Sequence, residues 1–223
     1  MATVALVGAD GAGKTSVARE VAGRLPGARY LYMGVNLEAS SLMLPTTRVA
    51  VELKKRLGGS PDVSAPRSRS EPARRGLLAR IRTEVRYANL IAEEWFRQLV
   101  AEYHDRRGSI VVFDRHFVWD YHASLPAPGE RGAGGFRGFH DRLLQRRYPR
   151  PDLVICLDAP AEILIARKRG GTVEEREARR TEYLQFGATN HPFVVVDVSQ
   201  PTERVVAEVL VAITTHLDGR AAR

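Results

Sequence analysis

Short continuous apolar runs alternate along this chain with longer stretches in which apolar residues recur every three or four positions. The runs at 3–7, 109–114 ("SIVVFD"), 152–158 ("DLVICLD") and 193–197 ("FVVVD") have no polar alternation, the signature of strands buried on both faces. A further strand is predicted at 29–33, "RYLYM". Helical spacing or composition predicts helices at 15–25, 42–57, 139–148, 174–186 and 202–217. The clearest helix runs toward Gly108, with Leu78, Ile81, Val85, Ala88, Ala92, Trp95 and Leu99 forming one stripe expected to lie against a core. Strand and helix in alternation predict an α/β fold with a five-stranded, mainly parallel sheet flanked by helices. There is no internal repeat.

At 223 residues and 44% hydrophobic, the chain has room for one domain with a substantial core, assigned to 1–223. The single cysteine, Cys156, lies inside "LVICL" and reads as a small buried hydrophobe. The N-terminal apolar run is too short for a secretory signal, and no run approaches the roughly 20 residues that span a bilayer. The expectation is a cytoplasmic protein without a membrane partner. The net charge of +8 is concentrated: between 67 and 86 seven arginines face Glu71 and Glu84. The first half of that patch belongs to a glycine-, proline- and serine-rich stretch, 58–76, which reads as a mobile basic connection. Such a loop either closes over an anionic ligand or is solvated, the ordinary case for a charge run, and a nucleic-acid partner is the competing explanation of the patch.

The first strand leads directly into "GADGAGKTS", which matches G-x-x-x-x-G-K-[ST] at Gly8, Gly13, Lys14 and Thr15. Between a strand and a helix, such a loop turns its N–H groups inward as an anion-binding hollow. The candidate ATP-binding set is therefore Gly8, Ala9, Asp10, Gly11, Ala12, Gly13, Lys14, Thr15 and Ser16. Lys14 is expected on the β- and γ-phosphates, and Thr15 on Mg²⁺.

Residues at the ends of the other strands narrow the chemistry. None of Asn36, Asn89 or Asn190 precedes a lysine, which argues against a guanine-reading switch, and no strand-ending aspartate precedes a glutamate that would activate water. "VVFDRH" instead offers Asp114 for the metal and Arg115 beside it, suited to stabilising a phosphoryl group during transfer. Lys14, Asp114 and Arg115 form the candidate catalytic set, with Thr15 and Asp114 as metal ligands. A second basic segment, 166–181, reads as a lid hinged at Gly170 and Gly171 and carrying Arg167, Arg169, Arg176, Arg179 and Arg180. Arg167 and Arg169 are assigned to ATP, while other lid arginines are expected to pair with Glu174, Glu175 or Glu177.

With "GADGAGKT", "DRHFVWDYHAS", "RPDLVICLDAPAEILIARKRGG" and "VVVDVSQPTERVVAEVL", the chain resembles the thymidylate kinase family of P-loop nucleoside monophosphate kinases. The resemblance implies Mg²⁺-dependent transfer of the ATP γ-phosphate and places Asp10 toward the acceptor. It departs from the family at the acceptor pocket. The arginine-bearing motif expected after the second strand is missing from "MGVNLEAS", and the family's base-reading arginine and stacking phenylalanine align with Glu93 and Asn89. The candidate acceptor set is Asp10, Asn89, Glu93 and Arg115. Arg86, Asn89, Glu93 and Arg97 share one helical stripe, either lining the pocket or solvated. The sequence leaves three readings: a nucleoside monophosphate kinase; a kinase acting on a hydroxyl of a nucleoside, sugar or amino sugar, with Asp10 or Glu93 orienting it; or a nucleotide-dependent nucleic-acid-binding protein. A homodimer is compatible with the first two.

Overall fold

The structure, a computed structural model, describes residues 2–34, 42–56, 77–122, 135–168, 170–189 and 192–222. The basic connection 58–76 lies outside them, as does Arg169 of the lid. Five strands form one parallel sheet in the order β2-β3-β1-β4-β5: β1 (Ala2–Val7), β2 (Ala28–Tyr32), β3 (Ile110–Asp114), β4 (Leu153–Asp158) and β5 (Phe193–Asp197). The helices are α1 (Lys14–Arg24), α2 (Pro45–Arg56), α3 (Leu77–Arg106), α4 (Phe117–His122), α5 (Gly135–Arg146), α6 (Ala161–Arg167), α7 (Val173–Ala188) and α8 (Thr202–Ala221). The predicted elements are all present with small shifts at their ends. Helices α4 and α6, six and seven residues long, went unpredicted because so few residues carry no readable periodicity.

Two cores lie on the two faces of the sheet. On one, Val4, Leu6, Val112 and Ile155 pack against Val17 and Val21 of α1 and Val205, Val209 and Ile213 of α8. On the other, Ala5, Val7, Phe113 and Val154 meet Ala101 of α3, Trp119 of α4, Leu144 of α5 and Tyr183 of α7. Cys156 is buried in this second core, and burial pushes its thiol up to about 12, so it behaves as a hydrophobe. Strand β1 has β3 on one side and β4 on the other, so the chain changes direction across the sheet at the carboxyl end of β1. Open α/β sheets bind ligands at such a point.

Helix α3 contradicts the expected orientation of its apolar stripe. Ile81, Val85 and Leu99 are 50%, 61% and 60% exposed, whereas Glu93, Glu94 and Arg97 are each 0% exposed. The inner face combines Leu90 and Ala101 with partnered polar groups. Glu94 Oε2 meets His140 Nε2 at 2.7 Å and accepts from the Tyr148 hydroxyl at 2.5 Å; Arg97 donates to the Gly34 carbonyl at 2.8 Å. Periodicity assumes that polar residues face water, but a polar group that finds a hydrogen-bond partner is buried more readily, here even with Arg97 Nε and Nη2 and Glu94 Oε1 left without one among the described residues. The solvated alternative for the Glu93–Arg97 stripe is thereby corrected.

The inverted face predicts unequal responses to urea unfolding. Val85→Ser should change the unfolding free energy by no more than about 0.5 kcal/mol, and Leu90→Ala should lower it by about 2–5 kcal/mol.

Candidate active site

The loop after β1 is shaped by close approaches that exclude side chains. At Gly8 (φ 136°) a Cβ would lie 2.3 Å from the Leu157 carbonyl oxygen, and at Gly11 (φ 95°) 2.2 Å from that of Leu164. The loop is thus pressed between the end of β4 and α6, and its backbone wraps a cleft of about 460 Å³. Asp10, Lys14, Thr15 and Ser16 line that cleft together with Arg115 and Arg167. Lys14 is 4% exposed, and its ammonium donates to the carbonyls of Gly8 and Ala9, 2.8 Å each. Burial, followed by the charge of Arg115, lowers its pKa to about 8.

Arg115 comes directly after β3 and has φ 71°, the single positive φ among the described non-glycine residues. A side chain in that conformation is strained by of order 1 kcal/mol or more, and such strain concentrates at functional sites. The turn directs its guanidinium to Asp10, with Nη2 at 3.0 Å from Oδ1. Three further cations converge on the same carboxylate: Lys168 Nζ at 3.2 Å, Arg176 Nη1 at 3.7 Å and Lys14 Nζ at 4.0 Å. Burial alone would raise the Asp10 carboxyl, but Lys14, Arg115 and Lys168 outweigh it and hold it well below the usual carboxylate range. Asp114, at the end of β3, is fully buried; Oδ2 accepts from the Tyr30 hydroxyl at 2.8 Å, and Oδ1 has no hydrogen-bond partner.

The segment expected to be a lid, 166–181, carries cations with distinct contacts among its described residues. Lys168 and Arg176 reach the loop, while Arg167 lines the cleft from the end of α6. Arg176 also donates to the Gly170 carbonyl at 2.8 Å, bracing the turn before α7, whose first turn is closed by a capping box between Thr172 and Glu175. Arg180 is structural: it grips both Asp158 oxygens at 2.8 Å and Glu177 at 2.6 Å, tying α7 to the end of β4. The sequence pattern points to Arg167 and Arg169 and passes over Lys168, although "ARKRGG" holds the signal.

The two predicted acceptor residues on α3 are already engaged. Glu93 accepts the Leu44 N–H with Oε1 at 3.0 Å and Oε2 at 3.2 Å, and Asn89 Oδ1 accepts from the Thr47 hydroxyl at 3.1 Å. Both therefore fasten the segment around α2 to α3. Asp120 is a site residue that the sequence pattern did not single out. It is buried, accepts from the Tyr183 hydroxyl at 2.8 Å, and its charge acts on both Arg115 and Lys14. Its one signal is its place on α4, a few residues beyond Asp114 in "DRHFVWD".

The depressed Lys14 pKa sets a pH dependence. Phosphate binding favours the protonated ammonium, and the free protein holds that proton up to about pH 8. Affinity for a non-hydrolysable ATP analogue, measured by calorimetry, should be level to about pH 8 and decline above it. Lys14→Ala should abolish binding.

No protein-family model matches the chain. Among solved structures it is similar to deoxyadenosine kinase from M. mycoides with the products dCMP and a flexible dCDP bound, at a TM-score of 0.54 and 17% identity, covering 96% of this chain and 99% of that one. The same kinase with bound dATP gives a TM-score of 0.53 at 18% identity, covering 95% and 99%. At these identities the likeness is one of fold: the chain has the five-stranded parallel architecture of the P-loop kinases.

Proposed function

We propose that this protein is an ATP-dependent phosphotransferase, a single P-loop kinase domain whose acceptor is a hydroxyl of a nucleoside. The observation that carries the reading is the convergence of Lys14, Arg115, Lys168 and Arg176 on Asp10 at the mouth of the loop. A binding module needs the loop to hold a triphosphate. Cations arriving from the end of β3 and from the lid are additionally suited to a γ-phosphoryl group passing between two oxygens.

The donor's phosphates occupy the amide-lined loop, with Lys14 turning from the Gly8 and Ala9 carbonyls to the β- and γ-oxygens. Arg115, Lys168 and Arg176 neutralise charge on the transferring group, and closure of the lid keeps water from competing for it. The residues present suit Mg²⁺, which takes one or two carboxylates plus substrate phosphates: Thr15 supplies a hydroxyl and Asp114 a buried, unpartnered Oδ1. Held there by Thr15 and Asp114, the ion would neutralise charge on the donor's phosphates. The acceptor's hydroxyl oxygen forms the new bond to phosphorus as the bond to the β–γ bridging oxygen breaks, leaving ADP, and the hydroxyl proton passes to an oxygen of the transferred phosphoryl group and from there to solvent.

The acceptor assignment rests on the sequence after β2, "MGVNLEAS", which lacks an arginine to hold an acceptor phosphate, and on Asp10. Held ionised among cations, its carboxylate accepts a hydrogen bond from a hydroxyl. Its low basicity makes it an orienting group, which suffices for a loose phosphoryl transition state. The M. mycoides kinase, named for a nucleoside and solved with deoxynucleotides, lends support from the same architecture.

ADP release against deoxynucleosides, nucleoside monophosphates including thymidylate, and amino sugars tests the reading. A response to a deoxynucleoside is expected, and a response confined to thymidylate would overturn the acceptor assignment. Arg115→Ala should lower kcat by about 10³-fold and Asp10→Asn by at least about tenfold; an effect of Arg115→Ala on KM alone would make it an anchor.

A further inference from the structure

We infer that Tyr30 is a positioning residue for the metal-binding carboxylate. Its hydroxyl fixes Asp114 so that Oδ1 is presented to the divalent cation accompanying the triphosphate. The inference rests on the phosphotransferase reading and adds a residue to it. Tyr30 lies in β2, the edge strand beside β3, and is in register with Val112. Asp114 is two residues further along β3, so its side chain leaves the sheet on the same face as that of Val112. A diagonal separation of this kind is spanned by a long aromatic side chain. The hydroxyl reaches Oδ2 at 2.8 Å, and the buried Oδ1 keeps its lone pairs free.

The brace extends to the loop's own helix. Arg19 of α1 lies over the Tyr30 ring, 5.4 Å from its centroid, and its charge acts on the phenol. Arg19 is four residues beyond Thr15, so the two share one face of α1. The helix that offers the Thr15 hydroxyl is thereby coupled, through Arg19 and Tyr30, to the strand that offers the Asp114 carboxylate. A phenol keeps its proton at neutral pH, so Tyr30 donates to the carboxylate. A carboxylate with one oxygen held by a donor has lost the rotation that would let it swing away from a metal. Partners of this kind are worth about 10–100-fold in metal affinity.

Tyr30→Phe removes the hydroxyl and keeps the ring. Binding of Mn²⁺ to the complex with a non-hydrolysable ATP analogue, followed by electron paramagnetic resonance, should weaken about tenfold. Affinity for the metal-free analogue should not change, and kcat should fall and be restored by raised Mg²⁺. Arg19→Met should produce a smaller loss of the same kind. Unchanged Mn²⁺ affinity in Tyr30→Phe, alongside a loss in Asp114→Asn, would overturn the inference and leave the phosphotransferase reading intact. Equal weakening with and without metal would also overturn it, as evidence of a general structural role. If the unaltered protein bound no ATP analogue, the phosphotransferase reading would fall, and this inference with it.

Discussion

The carboxylate of Asp10 is the negative charge on which the working end of the sheet depends. Lys14, Arg115, Lys168 and Arg176 come from the loop's helix, the end of β3 and the lid region, and mutual repulsion would drive them apart without an anion between them. Asp10 holds them together, in the positions that the proposed phosphoryl transfer requires. Lys14, Arg115 and Arg176 are largely desolvated, so their attraction to Asp10 is stronger than for surface pairs, whereas Lys168 is exposed and its pair is a surface one. Under the phosphotransferase reading proposed above, an incoming polyphosphate competes with Asp10 for cations already in place, which lowers the reorganisation demanded at the moment of reaction.

That cluster exists because the backbone around it is tightly constrained. The loop can lie against Leu157 and Leu164 only with glycine at 8 and 11, and Arg115 accepts a left-handed conformation that few residues tolerate. Around these strained points the frame is well fastened: Arg180 is clamped to Asp158, and both faces of β1, β3 and β4 are packed in apolar cores. Local strain survives where surrounding packing over-determines it. No helix among the described residues is long and apolar enough to cross a membrane.

Helix α3 is built on the opposite plan. Its inner face carries Glu93, Glu94 and Arg97, each sealed from water and each bonded to a group supplied by distant chain: Leu44, His140 and Tyr148, and Gly34. Polar groups at those depths are directional, so they fix how α2 and α5 sit against α3 in a way apolar contact alone does not. The residues at which the chain departs from the thymidylate kinase pattern, Asn89 and Glu93, therefore fasten the segment around α2 to α3.

The sequence by itself determined the five strands, the parallel α/β class and the phosphate loop. Those features are local: an uninterrupted apolar run, a glycine spacing or an Asp-Arg pair at a strand end carries its meaning within a few residues. Only the tertiary structure decided which face of α3 is inside, which lid cations reach the loop, and that Arg180 is a clamp. Those outcomes depend on partners tens of residues or more away, as with Lys168 and Asp10 or Tyr30 and Asp114. Burial of a charge is set by whether such a partner arrives, and no periodicity along one helix records that.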